Sequence, residues 1–267
     1  MKRVNKQLLD RWQDRVSQIT SHGFAFSESE ADHDARIARA KRDYAFFVAT
    51  YFPHLASKPT APFQIEAARW IASEERARAL FEWARGHAKS SHLGCLIPLW
   101  LLARGEGAFR HMVVVSKSEE AATALLGDLQ AELSSNDAYK RDFGLRTDPG
   151  AEWQTGRFST SDGTSFVALG RGQSPRGLKK RGQRPDYILI DDIDDDALCR
   201  NEARVRQAYE WMMTALFGTM AAGRGRFIMA GNRIGKKSIL ATFAQTKGIH
   251  HSCLLYTSPS PRDRQKS

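Results

Sequence analysis

Hydrophobic positions along the chain follow two regimes. Up to about residue 60 they keep helical spacing. Leu8, Leu9, Trp12 and Val16 share one face, and the stretch from Asp32 to Phe52 runs through Ala, Arg and Asp into aromatics before Pro53. Residues 1–60 are therefore read as an N-terminal helical segment. From Pro62 onward, short apolar runs alternate with helical patterns. The runs cover residues 79–84, 111–115, 164–169, 187–190 and 226–230, and each has the length of a buried strand. Between the second and third, Ala122, Leu125, Leu126, Leu129 and Leu133 make one apolar stripe, and Ser116 with Glu119 forms a capping-box signature, which predicts a helix over 116–133. Another helix is predicted over 201–217, with Val205, Ala208, Tyr209, Met212 and Leu216 inward. Strands alternating with helices predict an α/β fold around a mainly parallel sheet, spanning 61–252. No period of about 20–50 residues repeats, which argues against a solenoid.

The pattern stops at Cys253. Residues 253–267, CLLYTSPSPRDRQKS, lose all hydrophobic periodicity and resemble a translated sequencing-adaptor read-through, so they are read as non-native; a flexible Ser/Pro tail is the other reading.

Composition narrows the class. With 42% hydrophobic and 26% charged residues over 267 positions, the chain suits one large globular domain or two modest ones. The excess of 40 Lys+Arg over 30 Asp+Glu, a net +10, suits an anionic partner such as nucleic acid. Cys95, Cys199 and Cys253 lie far apart without a CxxC pair, so neither a zinc site nor a disulfide framework is indicated. The start, MKRVNKQLLDRWQ, carries no apolar signal core, and the longest apolar run, 93–103, is too short to cross a bilayer. The expected location is the cytoplasm, with no membrane partner.

The candidate chemistry begins at WARGHAKSSH, residues 83–92. Against the P-loop pattern G-x-x-x-x-G-K-[ST], Trp83 and Ala88 stand at the glycine positions, while Lys89 and Ser90 keep the Lys-Ser end. A P-loop needs backbone N–H groups around phosphates, a Lys charge on the β/γ oxygens and a hydroxyl on Mg²⁺. Gly86 gives this turn freedom, and the strand-loop-helix context fits, although Pro98 is expected to kink or end the helix that follows. In PDYILIDDIDDD, a buried strand delivers Asp191 and Asp192 at its C-terminal edge. Such acids match a Walker B element, the first holding Mg²⁺ and the second polarising the attacking water. Asp192 stands where Glu is usual and is one methylene shorter, which shortens its reach towards the attacking water and allows for slow turnover. Asp194, Asp195 and Asp196 are read instead as the acidic start of a following helix. The strand RFIMA ends in Gly231-Asn232-Arg233, where an amide can sense a terminal phosphate. Gln64, at the start of an upstream helix, has the donor and acceptor to pair with adenine, or is a surface residue.

The order of these motifs resembles the ATPase domain of the large terminase subunit of tailed bacteriophages. The resemblance rests on Phe63-Gln64, Arg85 to Ser90, Arg176-Gly177, Arg184-Pro185-Asp186, Ile190 to Ile193 and Ala230 to Arg233, over residues 45–240. It implies a P-loop NTPase fold of the ASCE/RecA-like kind, ATP and Mg²⁺ as cofactors, and transport of double-stranded DNA into a capsid. It also implies a homo-oligomeric ring working with a portal protein and a small terminase subunit. By position it gives Lys89 and Ser90 the phosphate and metal roles, Asp191 the metal-holding role, Asp192 the catalytic role, and Gly231 with Asn232 the coupling role. Gln64, Arg85, Gly86, His87, Ala88 and Ser91 complete the nucleotide-binding set. The arginine finger is left open among Arg85, Arg176 and Arg233. The family's C-terminal nuclease domain has no counterpart here, so no DNA cleavage is expected. The basic loop 170–185, with Arg176, Lys179 and Lys180 at its centre, suits DNA, a neighbouring subunit's nucleotide, or solvent. Two other readings remain: a helicase-like DNA-dependent ATPase, and a nucleotide- or DNA-binding scaffold that does not hydrolyse.

Overall fold

The computed structural model describes residues 3–21, 28–56, 58–105, 108–144, 153–175, 178, 182–221 and 223–254. Eight strands form one sheet: β1 (Arg76–Trp83), β2 (His111–Ser116), β3 (Trp153–Gln154), β4 (Arg157–Ser159), β5 (Ser165–Gly170), β6 (Tyr187–Asp191), β7 (Gly225–Ala230) and β8 (His250–Leu254). Their order is β3-β4-β5-β2-β6-β7-β1-β8, parallel from β5 to β8, with β3 and β4 running antiparallel at one edge. The five strands expected from apolar runs are the five central ones. They read as unbroken hydrophobic stretches because helices cover both faces.

Side-chain alternation survives inside those runs. Phe81, Met112, Val114, Ala168, Leu189 and Ile228 enter one core cluster, whereas Leu80, Val113, Val115, Val167, Ile188, Ile190, Phe227 and Met229 enter the other. On the first face lie α3 (Tyr44–Tyr51), α4 (Pro62–Ser73) and α7 (Glu119–Ser135); the second is closed by α10 (Glu202–Glu210) and α11 (Ile239–Phe243). The π-helical turn Trp211–Leu216 continues α10, and Val205, Met212 and Leu216 are buried as the spacing predicts.

The N-terminal helices join the sheet's core. Ala40 of α2 (Glu30–Arg42) and Tyr44, Phe47, Val48 and Tyr51 of α3 are buried in the same cluster as β2 and β6. Helix α1 (Arg3–Ser21) lies along α7, tied by Arg11 to Asp128 at 2.6 Å and by Arg15 to the fully buried Glu132 at 3.3 Å. His54 Nε2 sits 2.7 Å from the same Glu132, and the Asn136 amide donates to it at 3.1 Å, so this buried carboxylate is compensated. Asn136 also caps α8 (Asp137–Phe143) by accepting from the Tyr139 N–H.

One expectation is corrected and a second is narrowed. Helix α7 is capped by Ser118, whose hydroxyl accepts from the Ala121 N–H at 3.2 Å, and not by Ser116. Pairing with Gly170 of β5 holds Ser116 in the strand. Pro98 does not end its helix. Helix α5 (Lys89–Ser91) passes through a π turn, His92–Leu96, into α6 (Ile97–Arg104), and the Ile97 N–H reaches back five residues to the His92 carbonyl. This change of register takes up the missing N–H and ring clash of a proline in the following turn.

Strands β3 and β4 are too short to carry a periodic signal. Cys253 and Leu254, placed by sequence in the C-terminal tail, pair with Glu82 and Trp83 as the end of β8; residues 255–267 lie outside the described residues. No described helix is long and apolar enough to cross a membrane.

Gly170 fixes the junction between β5 and the start of α7, where an added Cβ would lie 2.7 Å from the Glu119 backbone nitrogen. Backbone cannot yield as a side-chain tip can, so Gly170→Ala is expected to destabilise the fold by about 1–3 kcal/mol, read as a lower urea midpoint with unchanged m-value.

Candidate active site

The site lies where β1, β6 and β7 end side by side. Parallel register places Asp191 beside Ala230, and Ala230 beside Phe81. The loop from Ala84 to Ala88 leaves β1 and turns back above these strand ends. Gly86 (φ 84°) and Ala88 (φ 54°, ψ 34°) both adopt left-handed backbone conformations, and Lys89 opens α5 directly after. Ala88 thus occupies a conformation that suits glycine, at an expected cost of about 1 kcal/mol.

The loop is braced from behind. Gln64 is buried, unlike the surface residue that was its alternative reading. Its carbonyl accepts from the Ala61 N–H at 2.9 Å and its amide donates to the His87 carbonyl at 3.1 Å, linking the start of α4 to the loop. Phe63 packs beneath with ring centroids 4.8 Å from Trp83 and 5.3 Å from His87. Trp83 is therefore a core residue rather than a loop pivot.

Lys89 turns its ammonium to the strand ends. It is buried and donates to the Trp83 carbonyl at 2.7 Å and to the Asn232 side-chain oxygen at 3.1 Å. Burial lowers its pKa from the ordinary lysine value, against the opposing fields of Asp192 and Asp191. The Ser90 hydroxyl donates to Asp191 Oδ2 at 2.6 Å. The other oxygen, Asp191 Oδ1, is buried without a hydrogen-bond partner among the described residues. Burial raises the Asp191 pKa to about 6, with the Ser90 bond acting the other way. An under-satisfied hard oxygen beside a serine hydroxyl is the donor set that a magnesium ion takes. Ser91 follows in the same helical turn.

Asp192 leaves the strand in the left-handed region (φ 44°) while its N–H still pairs with the Ala230 carbonyl at 3.1 Å. It is exposed and lines a cleft of about 230 Å³ with Arg85, Lys117, Gly231 and Asn232. Among the described residues, Ala88 and Asp192 are the only non-glycines with positive φ, and both belong to this site. Backbone strain held by surrounding structure is characteristic of functional positions.

The remaining acids divide as the sequence suggests, with one addition. Asp195 caps α9 (Asp196–Cys199) by accepting from the Leu198 N–H at 2.7 Å, and Asp196 lies in that helix's first turn. Asp194 caps a different helix: it accepts from the Ile239 and Leu240 N–H groups of α11, each at 2.9 Å. Sequence gave no signal for that long-range cap.

The arginines separate more sharply. Arg233 forms a two-pronged ion pair with the fully buried Glu82 on β1, both distances 2.9 Å, and His251 approaches the same carboxylate at 3.2 Å. It is thereby committed to the fold and does not serve as a free finger in this arrangement. Arg85 is exposed at the cleft rim and makes no hydrogen bond or ion pair with the described residues. Arg176, Lys179 and Lys180 fall outside the described residues.

A mainly parallel α/β sheet, with a left-handed loop and a lysine after one strand and two consecutive carboxylates at the end of the strand two places along, defines a P-loop NTPase-like fold. No protein-family model matches the chain, and no curated protein sequence matches it either. Among solved structures, the chain is similar to the crystal structure of the HK97 bacteriophage large terminase, at 14% sequence identity and a TM-score of 0.50 over 83% of this chain. The fold is terminase-like. The match spans 44% of the HK97 protein, less than half of its length.

A carboxyl whose folded pKa lies above its unfolded value holds its proton longer in the folded state. Its ionisation therefore removes stability as pH rises from about 4 to about 6. Asp191→Asn is expected to raise unfolding free energy at pH 8, in metal-free buffer, by on the order of 2 kcal/mol, with the gain vanishing near pH 4. Urea titrations at the two pH values read this directly. Ala88→Gly, which relieves the left-handed methyl, is expected to change stability by no more than about 1 kcal/mol, in the stabilising direction.

Proposed function

We propose that this chain is the ATP-hydrolysing motor domain of a phage large terminase, which moves double-stranded DNA into a capsid. The observation that carries the reading is a pair of contacts at adjacent strand ends: Lys89 donates to the Asn232 side chain at 3.1 Å, and Ser90, the next residue, donates to Asp191 at 2.6 Å. In this reading the Lys89 ammonium exchanges the Trp83 carbonyl for β- and γ-phosphate oxygens, and loop N–H groups from Arg85 to Ser90 wrap the phosphates. Ser90 and Asp191 would hold Mg²⁺, whose charge neutralises that of the phosphate oxygens. Asp192, at the cleft rim, accepts a hydrogen bond from the attacking water and orients it. Arg85 supplies a guanidinium to charge developing on the transferred group.

Asn232 is the proposed link from chemistry to movement. Its side chain holds Lys89 here, so a phosphate that draws Lys89 away releases the amide and the segment after β7. The net charge of +10 suits a DNA partner, and the terminase-like fold supports the packaging role. Partners implied by that role are the portal protein, the small terminase subunit and further copies of the chain in a ring, acting in the cytoplasm of an infected cell.

ATPase assays with nucleotide-binding measurements test this. Lys89→Ala is expected to abolish both nucleotide binding and turnover, with hydrolysis reduced by about 100-fold or more. Asp192→Asn is expected to reduce turnover by a similar order while changing nucleotide affinity by less than about threefold. Wild-type turnover no higher than that of Lys89→Ala would overturn the hydrolytic reading in favour of a binding scaffold.

A further inference from the structure

Basic side chains around the cleft sort by whether the fold already uses them. Arg171 donates to the Ile193 carbonyl at 2.5 Å and pairs with Asp195 at 2.8 Å. Arg233 is held by Glu82, and Lys89 by the Trp83 carbonyl and Asn232. Two cations lining the cleft, Arg85 and Lys117, make no hydrogen bond or ion pair with the described residues. The sequence motifs single out Arg85. Nothing in them points to Lys117.

The position of Lys117 follows from strand register. Val115 of β2 pairs with Ile190 of β6, so two residues further along Lys117 comes level with Asp192, and both line the cleft. Sheet order runs β2-β6-β7-β1, which puts Lys117 and Lys89 on opposite flanks of the carboxylates borne by β6. The backbone around Lys117 is fixed from three sides. The Ser116 carbonyl accepts from the Arg171 N–H at 2.8 Å, Ser118 caps α7, and Gly170 packs against the Glu119 backbone. A long cationic side chain therefore stands on a rigid base, and its free end is exposed. Of the acids lining the cleft, Asp194 is occupied by two α11 N–H groups and Asp195 by the α9 cap and Arg171; the field of Lys117 acts on Asp195, and Asp192 stands level with it, but neither pairs with it directly.

Resting on the nucleotide reading above, we infer that Lys117 is a second cation for the terminal phosphate of a bound nucleoside triphosphate, reaching it across Asp192 from the side opposite Lys89. The phosphates held by the loop and Lys89 are near β1, whereas Lys117 is two strands beyond β7. It can reach only the phosphate that projects furthest towards β6. A diphosphate lacks that group, so Lys117 acts on the triphosphate alone, whereas Lys89, placed on the β- and γ-phosphates, contributes to binding of both.

Equilibrium binding to the whole 267-residue chain tests this without requiring hydrolysis. The probes are a non-hydrolysable ATP analogue and ADP, each with Mg²⁺. Lys117→Ala is expected to weaken the triphosphate analogue by about tenfold and to leave ADP affinity nearly unchanged. Lys117→Arg should recover most of the loss, and Lys89→Ala should weaken both ligands. Because Lys117 is exposed and makes no hydrogen bond or ion pair with the described residues, its variants should keep the wild-type urea midpoint. Equal effects on both nucleotides, or no effect on either, would overturn the inference while leaving the nucleotide site standing. Failure of the wild-type chain to bind either probe would overturn the underlying reading, and this inference with it.

Discussion

An ammonium and a carboxylate are buried side by side at the mouth of a parallel sheet, and the local structure is arranged to make that tolerable. An unpaired charge in such a place costs several kcal/mol. Lys89 meets the cost with a strand-end carbonyl and the Asn232 side chain, Asp191 with the Ser90 hydroxyl. These partners belong to three adjacent strands and one helix start. The pairing of β1 with β7 and of β7 with β6 therefore has to hold register to within one residue for the charges to be satisfied at all. The helices that cover both faces, including α3 with its buried aromatics, serve that register by burying every residue of β6 and β7.

For these two charges, satisfaction among the described residues is incomplete at Asp191 Oδ1, and the incompleteness has direction. A site sealed for stability alone would give that oxygen a donor, since a buried acceptor without one costs about 1–3 kcal/mol. Instead burial lifts the carboxyl pKa to about 6 and leaves a hard oxygen beside a hydroxyl. On the proposed function, metal and phosphate would replace the internal bonds that Lys89 and Asp191 now make. Gln64 contributes by holding the His87 carbonyl, so the loop keeps its shape while Lys89 changes partners.

Much of this was legible in sequence for a simple reason: buried parallel strands leave continuous apolar runs, and the chemistry sits just beyond their ends. The runs before Asp191 and Gly231 located both strand tips, and Lys89-Ser90 marked the loop despite its missing glycines. What was not legible depends on contacts distant in the chain. The commitment of Arg233 to Glu82 spans 151 positions and that of Asp194 to Ile239 spans 45, and no local pattern announces either. Competition between neighbouring elements was also hidden. Ser116 and Ser118 offer similar caps, and only the demand of β5 for Ser116 decides between them. Pro98 carries the signature of a helix end, which the π turn before it annuls. Strand β8 lacks an apolar run because it lies at the sheet edge, with alternate residues exposed.

The doublet Asp191-Asp192 poses a geometric problem that the backbone resolves. Consecutive residues of a strand point to opposite faces, so two acids in sequence could not both serve one site if β6 simply continued. The strand ends at Asp191, and Asp192 turns into the left-handed region, which swings its carboxylate into the cleft while its N–H remains tied to Ala230. Aspartate tolerates that conformation better than most side chains, and a branched residue there would not. Every other positive-φ position among the described residues is glycine, apart from Ala88 on the facing loop. Among the described residues, non-glycine backbone strain is thus confined to the two turns that carry Lys89 and Asp192. Glycine at either turn would fit the backbone with less strain, but at 192 it would remove the carboxylate, and at 88 it would add a second glycine to the loop that already turns at Gly86 before Lys89. The residue identities at these two positions are therefore better explained by where they direct charge than by what they add to stability.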